Sequence, residues 1–234
     1  MSQTGSMDGS RTGAGRGQDD EVLAADRAFA IRMAYDGIRS AFLSVLAQDA
    51  VVLGQGPVPG RAHYEALPAD DGGRLLWEPV CSATSPDGTL ACTAGPYRLL
   101  DGAGAERACG VYLSVWRRVQ GSGVFELVLD LGAKDAVLPP EGLPFPAPAG
   151  AACDLAPHLA EWLRTGQVPP LEGAVVLGGP VDMGDLRPGG DFHSQDGSLG
   201  VLWGSRRRDD GSEGAFALLL AAAGCPSPVV VICA

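Results

Sequence analysis

Asp130 closes an apolar run, F-E-L-V-L-D-L (125–131), that follows a second strand-like run at 108–119 across the turn G-S-G. If the hairpin loop is the five residues 119–123, residue 118 pairs with 124 and Tyr112 falls opposite Asp130. Ser114 and Trp116 then lie on the same face of the ribbon. Such a face sets a carboxylate beside a phenol among aromatic side chains. An apolar pocket raises a carboxylate's basicity, and neighbouring hydroxyls stabilise the enolate that a proton abstraction produces. A one-residue slip moves the whole set to the opposite face. A strand-end aspartate that bonds a loop amide or pairs with arginine has the same local sequence. His63, in a short helical segment at 61–67, either projects as an acid or base or is simply solvated. Tyr35-Asp36 stands directly before Gly37, where a helix terminator is the plain reading. The triplet Arg206-Arg207-Arg208 reads as a solvated rim.

The elements that must position these residues come in two sets. Asp19-Asp20-Glu21 supplies a helix cap and an acidic first turn, and Val22, Ala25, Phe29 and Met33 recur at helical spacing. The pattern breaks at Asp36-Gly37 and resumes with Ile38, Phe42, Val45 and Leu46 to about residue 49, ahead of a short strand at 50–53. From Leu75 the period shifts towards two, with strands expected at 75–84, 89–100, 108–119 and 124–131. Helices followed by an antiparallel meander make an α+β fold. Residues 1–18 read as a flexible tail. Residues 19–133 form a first lobe, 134–150 a proline-rich linker and 151–234 a second lobe.

The second lobe repeats the first. S-P-D-G-T-L-A-C-T-A-G-P-Y-R-L-L-D-G (85–102) aligns without gaps to S-Q-D-G-S-L-G-V-L-W-G-S-R-R-R-D-D-G (194–211), identical at eight of 18 positions. Upstream, V-V-L-G-Q-G-P-V (51–58) matches V-V-L-G-G-P-V (175–181) with one deletion. The spacing predicts a short helix over 157–165 in the place of the helix at 37–48. Two collinear matches favour duplication, with the third helix and the following strand lost from the second copy.

Composition narrows the function classes. The 234 residues are 46% hydrophobic and carry a formal charge of −11, which disfavours nucleic acid and anionic membranes as partners. No apolar run spans a bilayer, and the N-terminus has no hydrophobic leader segment, so a cytoplasmic location is expected. The six cysteines form no C-x-x-C, and no metal or other cofactor is called for. Dinucleotide, P-loop, zinc-protease and serine-hydrolase motifs do not occur.

The opening A-x-R-A-F-A, the helix from Gly37 to Phe42, L-L-W-E-P (75–79), the D-G-T-L-A-C-T-A-G-P-Y block and G-V-Y-L-S-V-W-R-R…F-E-L-V-L-D-L-G carry a resemblance. In their order and spacing they resemble the nuclear transport factor 2-like superfamily, in its SnoaL-like bacterial branch, over residues 20–133. The resemblance implies a cone of helices against a strongly bent antiparallel sheet enclosing one cavity, and dimerisation through the open sheet face. It implies a cavity carboxylate as general base, which makes Asp130 the catalytic candidate with Tyr112 beside it. Trp77, Tyr97, Trp116, Tyr35 and His63 become ligand-binding candidates, Tyr35-Asp36 matching a Tyr-Asp pair in scytalone dehydratase. A second lobe in the same chain would cover the open face as an intramolecular pseudo-dimer, with further self-association left open. The expected function is binding of a small apolar molecule, with isomerase, cyclase or dehydratase chemistry open. The alternative is an interaction or assembly module with a vestigial cavity.

Overall fold

The structure is a computed structural model and describes residues 13–69, 72–140, 142–143, 154–172, 174–179, 181–208, 210–222 and 227–234. It is α+β, with two sheets in chain order. Helix α1 (Gly13–Val45) is two helical segments that meet at Gly37, whose φ of 74° takes it out of the helix. It leads into β1 (Leu46–Leu53), β2 (Pro57–Pro59) and the short helix α2 (Gly60–Glu65). Strands β3 (Arg74–Trp77), β4 (Cys81–Thr84), β5 (Leu90–Leu100), β6 (Glu106–Arg118) and β7 (Phe125–Lys134) complete the first sheet. Its order is β2-β1-β7-β6-β5-β3, with β4 also on β5 and β1 parallel to β7.

Helix α3 (Ala156–Thr165), β8 (Val175–Leu177), a 3-10 turn (Met183–Asp185), β9 (Leu186–His193), β10 (Leu199–Arg207), β11 (Glu213–Ala221) and β12 (Ser227–Cys233) make up the rest. The second sheet runs β8-β12-β11-β10-β9, and its first strand is again parallel to its last.

Period-two alternation decides the layering. On β6 and β7, Leu113, Val115, Leu129 and Leu131 point away from α1 and are fully buried. They share one core with Val201, Ala217, Leu219, Val230 and Ile232 of the second sheet. The alternate residues of that sheet, Leu202, Phe216, Leu218 and Val231, pack with Leu155 and Leu159 at α3. The layers are therefore α1 and α2, first sheet, second sheet, α3. Burial on both faces explains why β11 reads G-A-F-A-L-L-L-A with no polar alternation.

Several expectations shift. The helix begins at Gly13, so Asp19 sits inside it, buried, and is no cap. Tertiary contact carries this glycine-rich start: Gln18 lies against Gly88, and Glu21 pairs with Arg118 at 2.6 Å. Leu46 opens β1 and does not close a helix. The run 75–84 breaks into β3 and β4 around Pro79, which has no N–H to donate; Glu78 and Val80 still bond to β5. Residues 1–12 of the expected tail and 141 and 144–150 of the expected linker lie outside the described residues. Among the described residues no helix is long and apolar enough to cross a membrane.

Candidate functional site

Between α1 and the concave face of the first sheet lies a cavity of about 130 Å³, lined by Phe29, Phe42, Leu75, Trp77, Tyr97, Tyr112, Ser114, Asp130 and Gly132. The register that builds it differs from the expected one. Arg118 pairs with Phe125, one residue later than a five-residue loop gives, and a bulge between Val115 and Trp116 adds a second residue. Ser114 therefore stands opposite Asp130, and Tyr112 opposite Gly132. Each one-residue slip alone would reverse the face; together they restore it. That is why Tyr112, Ser114 and Asp130 still share one side.

Asp130 accepts a hydrogen bond from Ser114 Oγ at 2.7 Å. Its carboxyl group is pushed up to about 7, first by burial and further by the negative charge of Asp26, against the pull of the Ser114 hydroxyl. A carboxyl group poised there takes up and returns protons near neutrality.

Asp26 is the residue that sequence reasoning missed. It is the x of A-x-R-A-F-A, fully buried, and it accepts from Trp77 Nε1 at 2.7 Å and from Tyr112 Oη at 2.8 Å. Burial raises its carboxyl, while its donors, including the Thr93 hydroxyl, oppose the rise. A signal existed: Val22, Asp26, Phe29 and Met33 form one i, i+4, i+7, i+11 stripe, so an acid sits in the apolar face of the helix. Its position has a consequence for Tyr112, whose ionisation is pushed far up by burial and by Asp26. The phenol stays neutral and spends its proton on Asp26, so it meets a ligand as an acceptor.

The free donor is Tyr97. Its hydroxyl makes no hydrogen bond among the described residues, and its ring lies over Gly132, where a Cβ would come within 3.3 Å of it. Trp77 is both wall and pillar: its ring packs 4.8 Å from Phe29, and its N–H holds Asp26.

The other candidates stand elsewhere. Trp116 does not line the cavity; it is 1% exposed, packs 6.1 Å from Phe29 and donates to Thr93 Oγ1 at 3.0 Å. Tyr35 is 84% exposed, because it falls on the outer face of α1, two residues after buried Met33. His63 is exposed on α2, edge-on to Tyr64, and it is Tyr64 that turns inward to stack on Phe42 at 4.0 Å. No group of three or more His, Cys, Asp or Glu side chains among the described residues is placed to hold a metal ion.

No protein-family model matches the sequence, and no curated protein matches it significantly. Solved structures match about half of the chain. A nuclear transport factor 2-like superfamily protein of Salmonella enterica is 10% identical, over 52% of this chain and 94% of its own, with a TM-score of 0.41. A nuclear transport factor 2-like protein with a cystatin-like fold from Novosphingobium aromaticivorans is 15% identical over 51% and 83%, with a TM-score of 0.40. An LEH-like epoxide hydrolase of Mycobacterium tuberculosis is 17% identical over 49% and 80%, with a TM-score of 0.37. These are likenesses to the fold of one part of the chain.

Proposed function

We propose that the chain is a tandem protein of the nuclear transport factor 2-like superfamily, in its SnoaL-like branch, that binds a compact apolar carbonyl compound and moves a proton on it. The carrying observation is Asp130: a carboxyl poised near 7, with one hydrogen-bond donor, in the wall of an aromatic cavity. The cavity is close in size to the roughly 150 Å³ hole that takes up benzene in a protein core, so the fitting ligand is about one ring large. The carbonyl oxygen accepts from the Tyr97 hydroxyl. The Asp130 carboxylate removes a proton from the adjacent carbon, and the C–H electron pair moves into an enolate held by Tyr97. Return of the proton to another carbon of the enolate completes an isomerisation.

The second lobe belongs to the same reading as a duplicated, mainly structural copy, an intramolecular pseudo-dimer that covers the open face of the first sheet. The strand orders support it: β1-β7-β6-β5 with β3 and β4 on the far side of β5 is matched by β8-β12-β11-β10 with β9, so the strand expected to be lost from the second copy is present as β9. So do Gly95 and Gly204, paired in the sequence match: a Cβ on either would run into a carbonyl oxygen of the neighbouring chain segment, Glu78 or Arg187.

Cyclohex-3-enone, converted to the conjugated isomer and followed by ultraviolet absorbance, tests the reading. The expected result is turnover that falls about 10²–10⁴-fold in Asp130→Asn while ketone binding persists. Turnover undiminished by Asp130→Asn would sink the base assignment. Absence of both binding and turnover in the unaltered protein would favour an interaction module.

A further inference from the structure

Arg206 lies seven residues beyond Leu199, which opens β10, as Tyr97 lies seven beyond Leu90, which opens β5. The correspondence extends to the neighbours. Tyr97 covers Gly132, the partner of Tyr112, and Arg206 lies beside the thiol of Cys233, the partner of Phe216. The strand register puts Phe216, Leu218 and Val231 where the first sheet has Tyr112, Ser114 and Asp130. This face has no acid or hydroxyl at those places and holds a guanidinium at its end instead.

That guanidinium is poorly provided for. Its Nε and Nη1 are shut off from solvent, with the Cys233 thiol as the one polar neighbour and no oxygen acceptor, and it makes no ion pair among the described residues. A half-buried guanidinium whose inner nitrogens lack a counter-charge is unfavourable for the fold. Beside it opens a pocket of about 480 Å³, lined by Val181, Asp182, Met183, Asp185, Leu186, Arg206 and Arg207. Asp182 is already engaged, accepting from the Gly184 N–H at 2.8 Å. The pocket therefore holds two guanidinium groups and two carboxylates, of which Asp182 is turned to the Gly184 N–H, with an apolar wall.

We propose that this pocket binds a small organic anion, a monocarboxylate with a short apolar tail. The carboxylate meets the forks of Arg206 and Arg207, and the tail lies on Val181, Met183 and Leu186. Asp182 and Asp185 at the pocket disfavour a doubly charged phosphate, and the apolar wall favours a tail over a bare ion. The site is separate from the first-lobe cavity and does not depend on the chemistry there.

The test is calorimetric titration of the full chain with hexanoate, with hexan-1-ol and inorganic phosphate as comparators, in low salt. The expected result is saturable one-to-one binding of hexanoate and none of the alcohol. In Arg206→Met the affinity falls at least about tenfold, the loss of one charge-assisted hydrogen bond. The melting temperature of the free Arg206→Met protein stays level or rises, because a guanidinium without a counter-charge does not support the fold. The proposal is overturned if hexanoate fails to bind, if it binds Arg206→Met equally well, or if phosphate binds more tightly. A fall of several degrees in the variant's melting temperature would make Arg206 a structural residue and overturn it too.

Discussion

Asp87 and Asp196, 109 positions apart in the chain, hold each other's turns. The Asp196 N–H donates to Asp87 Oδ2 at 2.8 Å, and the Asp87 N–H donates to Asp196 Oδ2 at 3.3 Å. Each carboxylate also accepts from the serine two residues before it, Ser85 or Ser194, at 2.6 Å. Glycines 88 and 197, which follow, take φ values of 70° and 67°. Residue i meeting j while j meets i is the relation a two-fold axis generates. Here it joins two places that the sequence match had paired.

Asp87→Ala and Asp196→Ala should each destabilise the fold by about 1–2 kcal/mol, since each removes a turn acceptor and a contact across the two turns. The double variant should lose less than the sum, because the cross-turn contact is shared. Urea denaturation of the four proteins measures the coupling. Strict additivity would mean that the two turns are energetically independent.

Asp130 makes stability depend on pH in a defined direction. Its carboxyl is raised from an ordinary value near 3.8 to about 7, so between those pH values the folded chain holds a proton that the unfolded chain has released. Stability from this group is fully present below pH 4 and is lost as pH rises through 7, by up to ~4 kcal/mol. Asp130→Asn should abolish that slope and be the more stable protein at pH 8. Thermal melts from pH 4 to 8 decide it, and a variant that keeps the wild-type slope would contradict the assignment.

Asp26→Ala strands two donors, Trp77 Nε1 and Tyr112 Oη, in the core. The expected loss is about 2–5 kcal/mol, read by chemical denaturation, and Asp26→Asn should recover part of it. Trp77 fluorescence gives an independent readout of whether the indole has lost its partner.

Gly132→Ala would place a methyl group against the Tyr97 ring, inside the cavity. Binding of a ring-sized ketone should weaken about tenfold or more, because the methyl meets the Tyr97 ring at 3.3 Å and pushes it from its place in the cavity wall; titration of the variant with the ketone measures it. Tyr97→Phe should leave ketone binding nearly intact and lower turnover. Equal effects on both quantities would argue against Tyr97 as the oxyanion donor.

Much of this molecule is local and therefore legible in one dimension. Alternation along 108–131 put Tyr112, Ser114 and Asp130 on one face, the helix break fell at Gly37, and the D-G turns at 87–88 and 196–197 marked two places that meet in the structure. Parity survives an error of two, so the face was right although the partners were not. The register itself depends on a hairpin loop and a bulge, and neither has a signature in F-E-L-V-L-D-L.

The sequence by itself determined which residues alternate and in what order the elements come, because both follow from the period of the backbone. Only the tertiary structure decided what each apolar face meets. Trp116 and Trp77 are equally aromatic, yet Trp116, just past the bulge, is buried against Phe29 and Thr93 while Trp77 lines the cavity. Asp26 belongs to the site because α1 crosses the sheet above Tyr112, a placement set by packing between residues 86 positions apart in the chain. Burial then raised the two carboxyl groups, and burial belongs to the folded chain alone.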